Sequence, residues 1–385
     1  MAKRKVCVLV TARPSYSRIK SALQAIQDHP DLELQLVVAA SALLERYGHA
    51  IRSIEHDGFH VAARVYMVLE GENLVTSAKS TGLGLVELAT VFDNLKPDVV
   101  VTVADRFETL ATAVAASYMN IPVAHVQGGE VTGSIDEKVR HAVTKLANVH
   151  FVSTEQSRQR VIRLGEEPVN VHLTGCPSID LAHEVMQRPD MDFNPFEKYG
   201  GVGERVDLSK GFLVVMQHPV TTEYDEARRQ VEETLYAIKD FGLPTLWFWP
   251  NVDAGSDGTS KGIRVFRERH HDVHLHLFRN MLPEDFLRLL LQCSCIVGNS
   301  SVAIRECSFL AVPAVNIGTR QQGRERGANV IDVDYDRIQI AAAIEQHLKR
   351  GPLARDTRYG DGGAGARIAD LLATLAIGIE KRITY

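Results

Sequence analysis

Short runs of near-continuous valine, isoleucine and leucine recur along the chain, and stretches of helical period separate them. Val6-Cys7-Val8-Leu9-Val10-Thr11 is the first apolar run and Leu34 to Ala40 the second. A helical run ending at Ile26 lies between them, with Pro14 suited to a first helical position. That spacing predicts a βαβ unit with a right-handed crossover. Further strands are predicted over 99–103, 122–126 and 150–153, with a helix over 107–119. A second series follows, with strands over 212–216, 244–249, 273–278, 295–297 and 312–317 and helices over 282–291, 338–350 and 366–377. Strands that are apolar throughout, alternating with helices, predict parallel sheets covered on both faces.

Residues 186–210 interrupt this alternation. Arg188-Pro189-Asp190, Asn194-Pro195 and Gly200-Gly201-Val202-Gly203 read as a linker and the lead-in to a second domain. The predicted architecture is α/β, with two Rossmann-like doubly wound domains over 1–185 and 186–365. A C-terminal helix within 366–385 is expected to cross back to the first domain. The glycine-rich loop 351–365 reads as a mobile or crossing segment.

Composition narrows the function classes. A chain of 385 residues is long for one core and sufficient for two. The net charge of −5 leaves no electrostatic footprint for nucleic acid or an anionic membrane, and no apolar run is long enough to span a bilayer. After Lys3-Arg4-Lys5 the apolar run ends at Val10, too short for a signal-peptide core, so a cytoplasmic protein is expected. Five cysteines, mostly within apolar runs, suit buried thiols. Cys293-x-Cys295 lacks the second ligand pair of a zinc site, so neither a metal nor a cofactor is expected.

Polar residues collect where strands end, which is where doubly wound sheets bind ligands. They are Arg13, Ser17, Asp105, Arg106, Gln127, Glu130, His218, Asn251, Asp253, Ser300, Ser301 and Arg320. Gly298-Asn299-Ser300-Ser301 follows the strand Cys295-Ile296-Val297 and precedes a helix-period run containing Glu306. It reads as strand, tight turn and capped helix start, either an ordinary cap or a seat for a phosphate. Glu306, one to two turns into that helix, could reach the hydroxyls of a ribose.

These junctions together resemble those of the hydrolysing UDP-N-acetylglucosamine 2-epimerases of the bacterial sialic- and legionaminic-acid type. The resemblance rests on Asp105-Arg106-Phe107-Glu108, the run from Gly128-Gly129-Glu130 to Asp136-Glu137, and Arg140-His141-Ala142-Val143-Thr144-Lys145. It continues through Gly175-Cys176-Pro177-Ser178-Ile179-Asp180, His218-Pro219-Val220-Thr221-Thr222, Pro250 to Gly255, Gly298-Asn299-Ser300-Ser301 and Gly318-Thr319-Arg320-Gln321. The motifs run in the family's order over most of the chain. The resemblance implies a glycosyltransferase type B arrangement with a cleft between the domains, and a UDP-sugar as the partner. Arg13, Ser17 and Arg106 would meet the nucleotide from the first domain. Asn251, Ser300, Ser301 and Arg320 would bind the diphosphate, and Glu306 the ribose. Asp105 and Asp136 would be the acid/base carboxylates, with His218 and Asp180 near the sugar. A homodimer or homotetramer is the family's habit.

The family reaction eliminates UDP to a glycal, hydrates it and releases N-acetylmannosamine. Each acid/base role in such a reaction is typically worth about 10²–10⁴-fold. Without the resemblance, Asp105 reads as a helix N-cap and Asp136 as a helix-start carboxylate paired with Arg140. Two positions depart from the family pattern. Gln127 stands where a titrating Glu is usual, and Ala42 where a His is common. Either Glu130 or Asp136 takes over the missing role, or the sugar differs (a 2,4-diacetamido-6-deoxy sugar), or the protein binds a UDP-sugar without turnover. A glycosyltransferase on the same fold is a further rival, and the motif set argues against it.

Overall fold

The computed structural model describes residues 2–45, 50–71, 73–132, 135–250 and 255–384. It divides into two compact units. The first comprises Met1–Glu130, Ile135–His183 and Arg358–Tyr385, and the second Val131–Ser134 and Glu184–Thr357.

The first unit holds a seven-stranded parallel sheet. Its strands are β1 (Arg4–Val10), β2 (Leu32–Ala39), β3 (Val61–Val65), β4 (Val99–Val103), β5 (Val123–Val126), β6 (Val149–Val152) and β7 (Val171–Leu173). Their order is β3-β2-β1-β4-β5-β6-β7, so the winding direction reverses between β1 and β4. Strand β1 explains why its run carries no polar position. Val6, Val8 and Val10 enter one core, with Leu23 and Ile26 of α2 (Lys20–Asp28) and Ile368 and Leu372 of a C-terminal helix. Cys7 and Leu9 point to the opposite core, with Leu88 and Phe92. The helices around this sheet include α1 (Arg13–Ser17), α3 (Ala50–His56), α4 (Leu74–Leu95), α5 (Phe107–Tyr118), α6 (Asp136–Leu146) and α7 (Glu155–Arg163).

The chain passes to the second unit within α8 (Pro177–Gln187). The stretch read as a linker and lead-in to the second domain carries two short elements. Asn194 caps α9 (Pro195–Tyr199) by accepting from the Phe196 and Glu197 amides, at 2.9 and 3.3 Å. A two-residue strand, β8 (Val202–Gly203), then pairs antiparallel with the sheet edge. Proline at the first helical turn and a short glycine-flanked strand are compatible with the composition that suggested a linker.

The second sheet uses β9 (Leu213–Met216), β10 (Thr245–Phe248), β11 (Leu275–Phe278), β12 (Cys295–Gly298), β13 (Ala314–Ile317) and β14 (Val330–Val333). The order β14-β13-β12-β9-β10-β11-β8 repeats the first unit's plan, with its reversal between β9 and β12. Both units are therefore doubly wound, as the sequence predicts. Helices α10 (Ala227–Phe241), α11 (Ser256–Arg269), α12 (Pro283–Gln292), α13 (Glu306–Leu310) and α14 (Arg337–Lys349) belong to this unit. Trp247 is fully buried in the core beneath α10 and α11.

The chain returns to the first unit and ends with α15 (Ala364–Thr374) and a tail. Asp180 of α8 accepts from the Ala364 and Gly365 amides at 2.9 and 2.6 Å, so a carboxylate from another helix satisfies donors at the α15 N-terminus. The tail is held by Lys381, which joins Lys145 and His150 around the buried carboxylate of Glu166. Burial alone would raise the Glu166 pKa. Hydrogen bonds from His150, Lys145 and Lys381 outweigh that and hold it at about 2. Among the described residues no helix is long and apolar enough to cross a membrane.

Candidate active site

In the first unit the candidate side chains lie just past the ends of β1, β2, β4 and β5. Three non-glycine residues with left-handed backbone follow β2, β4 and β5 directly: Ala40 (φ 53°), Ala104 (φ 67°) and Gln127 (φ 68°). Such conformations are costly away from glycine and cluster at functional sites.

Asp105, next after Ala104, is buried, and its carboxylate is ion-paired to Arg140. It does not cap the helix after it. Arg106 occupies the N-cap position of α5, and no side chain caps that end. Arg140 lies on α6 and is 1% exposed. Its guanidinium also donates to the Glu130 carbonyl at 2.8 Å and to Glu137 Oε2 at 3.2 Å. One buried arginine thus ties the β4 end, the loop after β5 and the first turn of α6. Asp136 is the first residue of that helix and half-buried, one turn before Arg140 on the same face. Glu130 is buried, and its Oε1 accepts from Ser153 Oγ at 3.1 Å.

His125 supports this cluster from within β5. Its Nε2–H donates to the Ala104 carbonyl at 2.9 Å, and its Nδ1 lies 3.3 Å from Thr144 Oγ1. Burial lowers its pKa to about 3, so the ring is neutral and keeps this tautomer. Gln127 is 1% exposed, and its amide donates to Cys176 Sγ at 3.0 Å, which in turn lies 3.0 Å from Ser178 Oγ. Ala42 is buried, and its amide donates to the Thr11 carbonyl at 3.1 Å, tying the turn after β2 to the end of β1.

Ser15 builds the turn that presents Arg13 and Ser17. Its hydroxyl oxygen accepts from the Ala12 amide at 2.9 Å and donates to the Ala12 carbonyl at 2.6 Å. Arg13 opens α1 and is only partly exposed. The protein around its guanidinium lowers its pKa to about 10, which leaves it cationic at neutral pH. Ser17 closes α1, its hydroxyl donating to the Pro14 carbonyl at 3.1 Å. Arg106 pairs with buried Glu108 at 3.3 Å. Asp180 lies on α8 and is engaged with other partners. Both its oxygens are occupied at the α15 N-terminus, and Ser21 Oγ donates to it at 2.8 Å. Burial raises its pKa against those hydrogen bonds.

The second unit builds its cluster at the equivalent reversal. Gly298 ends β12 at φ 134°, and a Cβ there would lie 2.2 Å from the Met216 carbonyl oxygen of β9. Only glycine allows the two strand ends this close. Asn299 is fully buried, and its side chain bonds both ways to the backbone of buried His218. The Asn299 carbonyl accepts from Arg320 at 3.2 Å and from Gln321 Nε2 at 2.9 Å. Ser301 Oγ accepts from buried Arg305 at 2.8 Å. Glu306 Oε2 is buried without a hydrogen-bond partner.

The segment after β12 differs from its expected form. Ser300 caps only a 3₁₀ turn over Ser301–Ala303, through a 3.5 Å bond to the Val302 amide. Helix α13 begins at Glu306 itself and spans five residues, ended by left-handed Ala311. The Asn299 side chain bonds to the His218 backbone, and Ser300 takes the cap position of this turn. Asn251, expected at the diphosphate, and Asp253 lie outside the described residues.

Arg140, His125, Cys176 and Asn299 are the supporting groups that sequence reasoning did not assign. Arg140 carried one usable signal, an arginine three and four residues after Glu137 and Asp136, and hence on their helix face.

Comparison with known proteins identifies the family and the fold. The family model for UDP-N-acetylglucosamine 2-epimerase matches residues 24–373. The UDP-N,N'-diacetylbacillosamine 2-epimerase (hydrolyzing) of Legionella pneumophila is 33% identical over 377 residues, covering 97% of each chain. The UDP-N-acetylglucosamine 2-epimerase of Neisseria meningitidis is 28% identical, over 94% of this chain and 91% of that one. The structure of the Methanocaldococcus jannaschii UDP-GlcNAc 2-epimerase in complex with UDP-GlcNAc and UDP superposes with a TM-score of 0.80 at 19% identity, covering 96% of this chain and 99% of that one. This likeness shows the fold, the glycosyltransferase type B class of paired Rossmann-like domains. On the match of the family model along most of its length, the chain belongs to the UDP-N-acetylglucosamine 2-epimerase family.

Proposed function

We propose that the protein is a hydrolysing 2-epimerase of a UDP-linked 2-acetamido sugar. The observation that carries the reading is the buried group around Arg140, which joins Asp105 and the Glu130 backbone, with Asp136 on the same helix face. Base removal of the C2 proton and departure of UDP from C1 would give a 2-acetamidoglycal. Return of a proton to the opposite face of C2 and addition of water at C1 would then release the free epimer. The sum is UDP-sugar plus water giving UDP plus free sugar. We assign the two proton transfers to Asp105 and Asp136, with Glu130 as the third carboxylate of the group. Gln127 cannot titrate and is assigned hydrogen bonding only.

Asp180 is not proposed for proton transfer, because the α15 N-terminus occupies it. The second unit is proposed to hold UDP through His218, Ser300, Ser301 and Arg320, with Asn251 expected beside them. Glu306 Oε2, a buried acceptor lacking a donor, supports a ribose contact there. Arg13, Ser17 and Arg106 are proposed for the nucleotide from the first unit.

The parent substrate in this reading is UDP-N-acetylglucosamine, giving N-acetylmannosamine. One observation favours a second sugar. The Legionella relative, matched end to end, is named for UDP-N,N'-diacetylbacillosamine. Measuring UDP release with each UDP-sugar, and with Asp105→Asn and Asp136→Asn, tests the reading. The substrate is the sugar with the higher kcat/KM. Each Asn variant should lose at least about 10²-fold in kcat while binding UDP nearly as before. Turnover that survives both changes would sink the assignment.

A further inference from the structure

We infer that Ser153, just past β6, and Cys176, just past β7, are positioning residues that clasp the turn Gln127–Glu130 and aim the Glu130 carboxylate, which rests on the 2-epimerase reading above for the use of that carboxylate.

Three neighbouring strand ends meet here. The Gln127 amide donates to the Phe151 carbonyl at 2.9 Å, and the Thr174 amide to the Val152 carbonyl at 3.1 Å, so the β5–β6 and β6–β7 ladders run out together. The chain then turns through Gln127 and Gly129, with φ of 68° and 74°. At Gly129 a Cβ would lie 2.2 Å from the Ser157 carbonyl oxygen of α7, so only glycine lets the turn rest on that helix. Gln127 has no such freedom. A glutamine in left-handed backbone persists only where its surroundings fix it.

The next two strand ends supply that fixing. Gln127 Nε2 donates to Cys176 Sγ at 3.0 Å, and Ser178 Oγ lies 3.0 Å from the same sulfur. The three residues are at most 2% exposed. The Cys176 backbone is itself anchored, its amide donating to the Tyr359 carbonyl at 2.7 Å. A buried amide donor without an acceptor is costly, so Gln127 depends on that sulfur. Gln127 cannot titrate, and its work is to latch the turn.

Glu130 is held at both ends. Arg140 donates to its carbonyl at 2.8 Å, and Ser153 Oγ donates to its Oε1 at 3.1 Å. Arg160 of α7 steadies the residue before it, donating to the Gly129 carbonyl at 3.2 Å. Arg140 therefore places the backbone, and Ser153 sets where the carboxylate goes. Misplacing a reacting group by about 1 Å can cost on the order of 10²-fold in rate.

UDP release by the full chain tests this, with calorimetric titration of UDP and urea unfolding as controls. Ser153→Ala should lower kcat about tenfold or more, with KM and UDP affinity within about threefold of the wild type. Ser153→Thr returns the hydroxyl and should restore kcat to within about threefold. Cys176→Val should lower kcat in the same manner, whereas Cys176→Ser keeps an acceptor for Gln127 and should not. A crystal structure of Ser153→Ala should show the Glu130 carboxylate displaced by about 1 Å or more, whatever the turnover. A wild type that releases no UDP would overturn the functional reading, and the crystal structure would still decide the role of Ser153. With an active wild type, an unchanged kcat in Ser153→Ala, a loss confined to KM, or Ser153→Thr no better than Ser153→Ala would each overturn the inference, as would a Glu130 carboxylate that stays in place.

Discussion

The side chain of Asn299 grips the backbone of His218 from both sides. Its Oδ1 accepts from the His218 amide at 2.7 Å and its Nδ2 donates to the His218 carbonyl at 2.8 Å. Both residues are buried and 81 positions apart, at the ends of β12 and β9 where the second sheet reverses direction. A single amide thus fixes the loop that carries His218 against the loop that carries Ser300 and Ser301.

Asn299→Ala removes both buried bonds to the His218 backbone. The expected cost is about 2–4 kcal/mol of unfolding free energy, measured by urea denaturation. UDP affinity should fall as well, since the loop carrying His218 loses its anchor. A loss below about 0.5 kcal/mol would mean that Asn299 does not hold this loop.

Arg140 should be costlier to lose. Its removal strands the buried Asp105 carboxylate and frees the Glu130 carbonyl, so Arg140→Met is expected to cost about 3–5 kcal/mol. Arg140→Lys keeps one charge but loses the fork that reaches several acceptors, and should recover only part of the stability. If the reading of the site is right, both variants lose kcat far more than UDP affinity. Isothermal titration with UDP beside turnover assays separates these. A variant that loses UDP binding while keeping kcat would contradict the assignment of Arg140 to the acid/base side.

His125 makes a pH-dependent contribution with a definite sign. Its pKa is held at about 3 in the folded chain against an ordinary value of 6.5. Between about pH 4.5 and 6 the unfolded chain binds a proton that the folded chain refuses, so stability rises with pH across that window and is lost as pH falls. His125→Phe removes one such group. The slope of unfolding free energy against pH should then drop by about 1.4 kcal/mol per pH unit. Urea unfolding at several pH values in this window reads it directly. An unchanged slope would show that the imidazole is not kept neutral. The same variant frees the Ala104 carbonyl, and Asp105 follows Ala104 directly, so kcat should fall more than KM changes.

The order of elements was legible because the strands are buried on both faces, as Val6 to Val10 are by two separate cores. Helix α4 was not. Apolar residues on its outer face blur the helical period, and its buried stripe contains Ser80 and Gly84. Strand β14 was missed because its residues are only half-buried or exposed and lack a continuous apolar run. In the site, the residues that end strands could be read from position alone. The groups that hold them could not. Arg140 acts on Asp105 from 35 positions away and Asn299 on His218 from 81, and no local spacing records such pairs. Asn299 was legible only as a helix cap, because its side chain suits either use.

The most direct measurement is incubation with UDP-N-acetylglucosamine, and in parallel with the UDP-2,4-diacetamido-6-deoxy sugar, in heavy water. Nuclear magnetic resonance then follows the sugar. Proton removal from C2 and its return from solvent predict free 2-epimer carrying deuterium at C2, with one UDP released per sugar. A 2-epimer still attached to UDP, or a free sugar that keeps its original C2 proton, would contradict hydrolytic epimerisation by this chain.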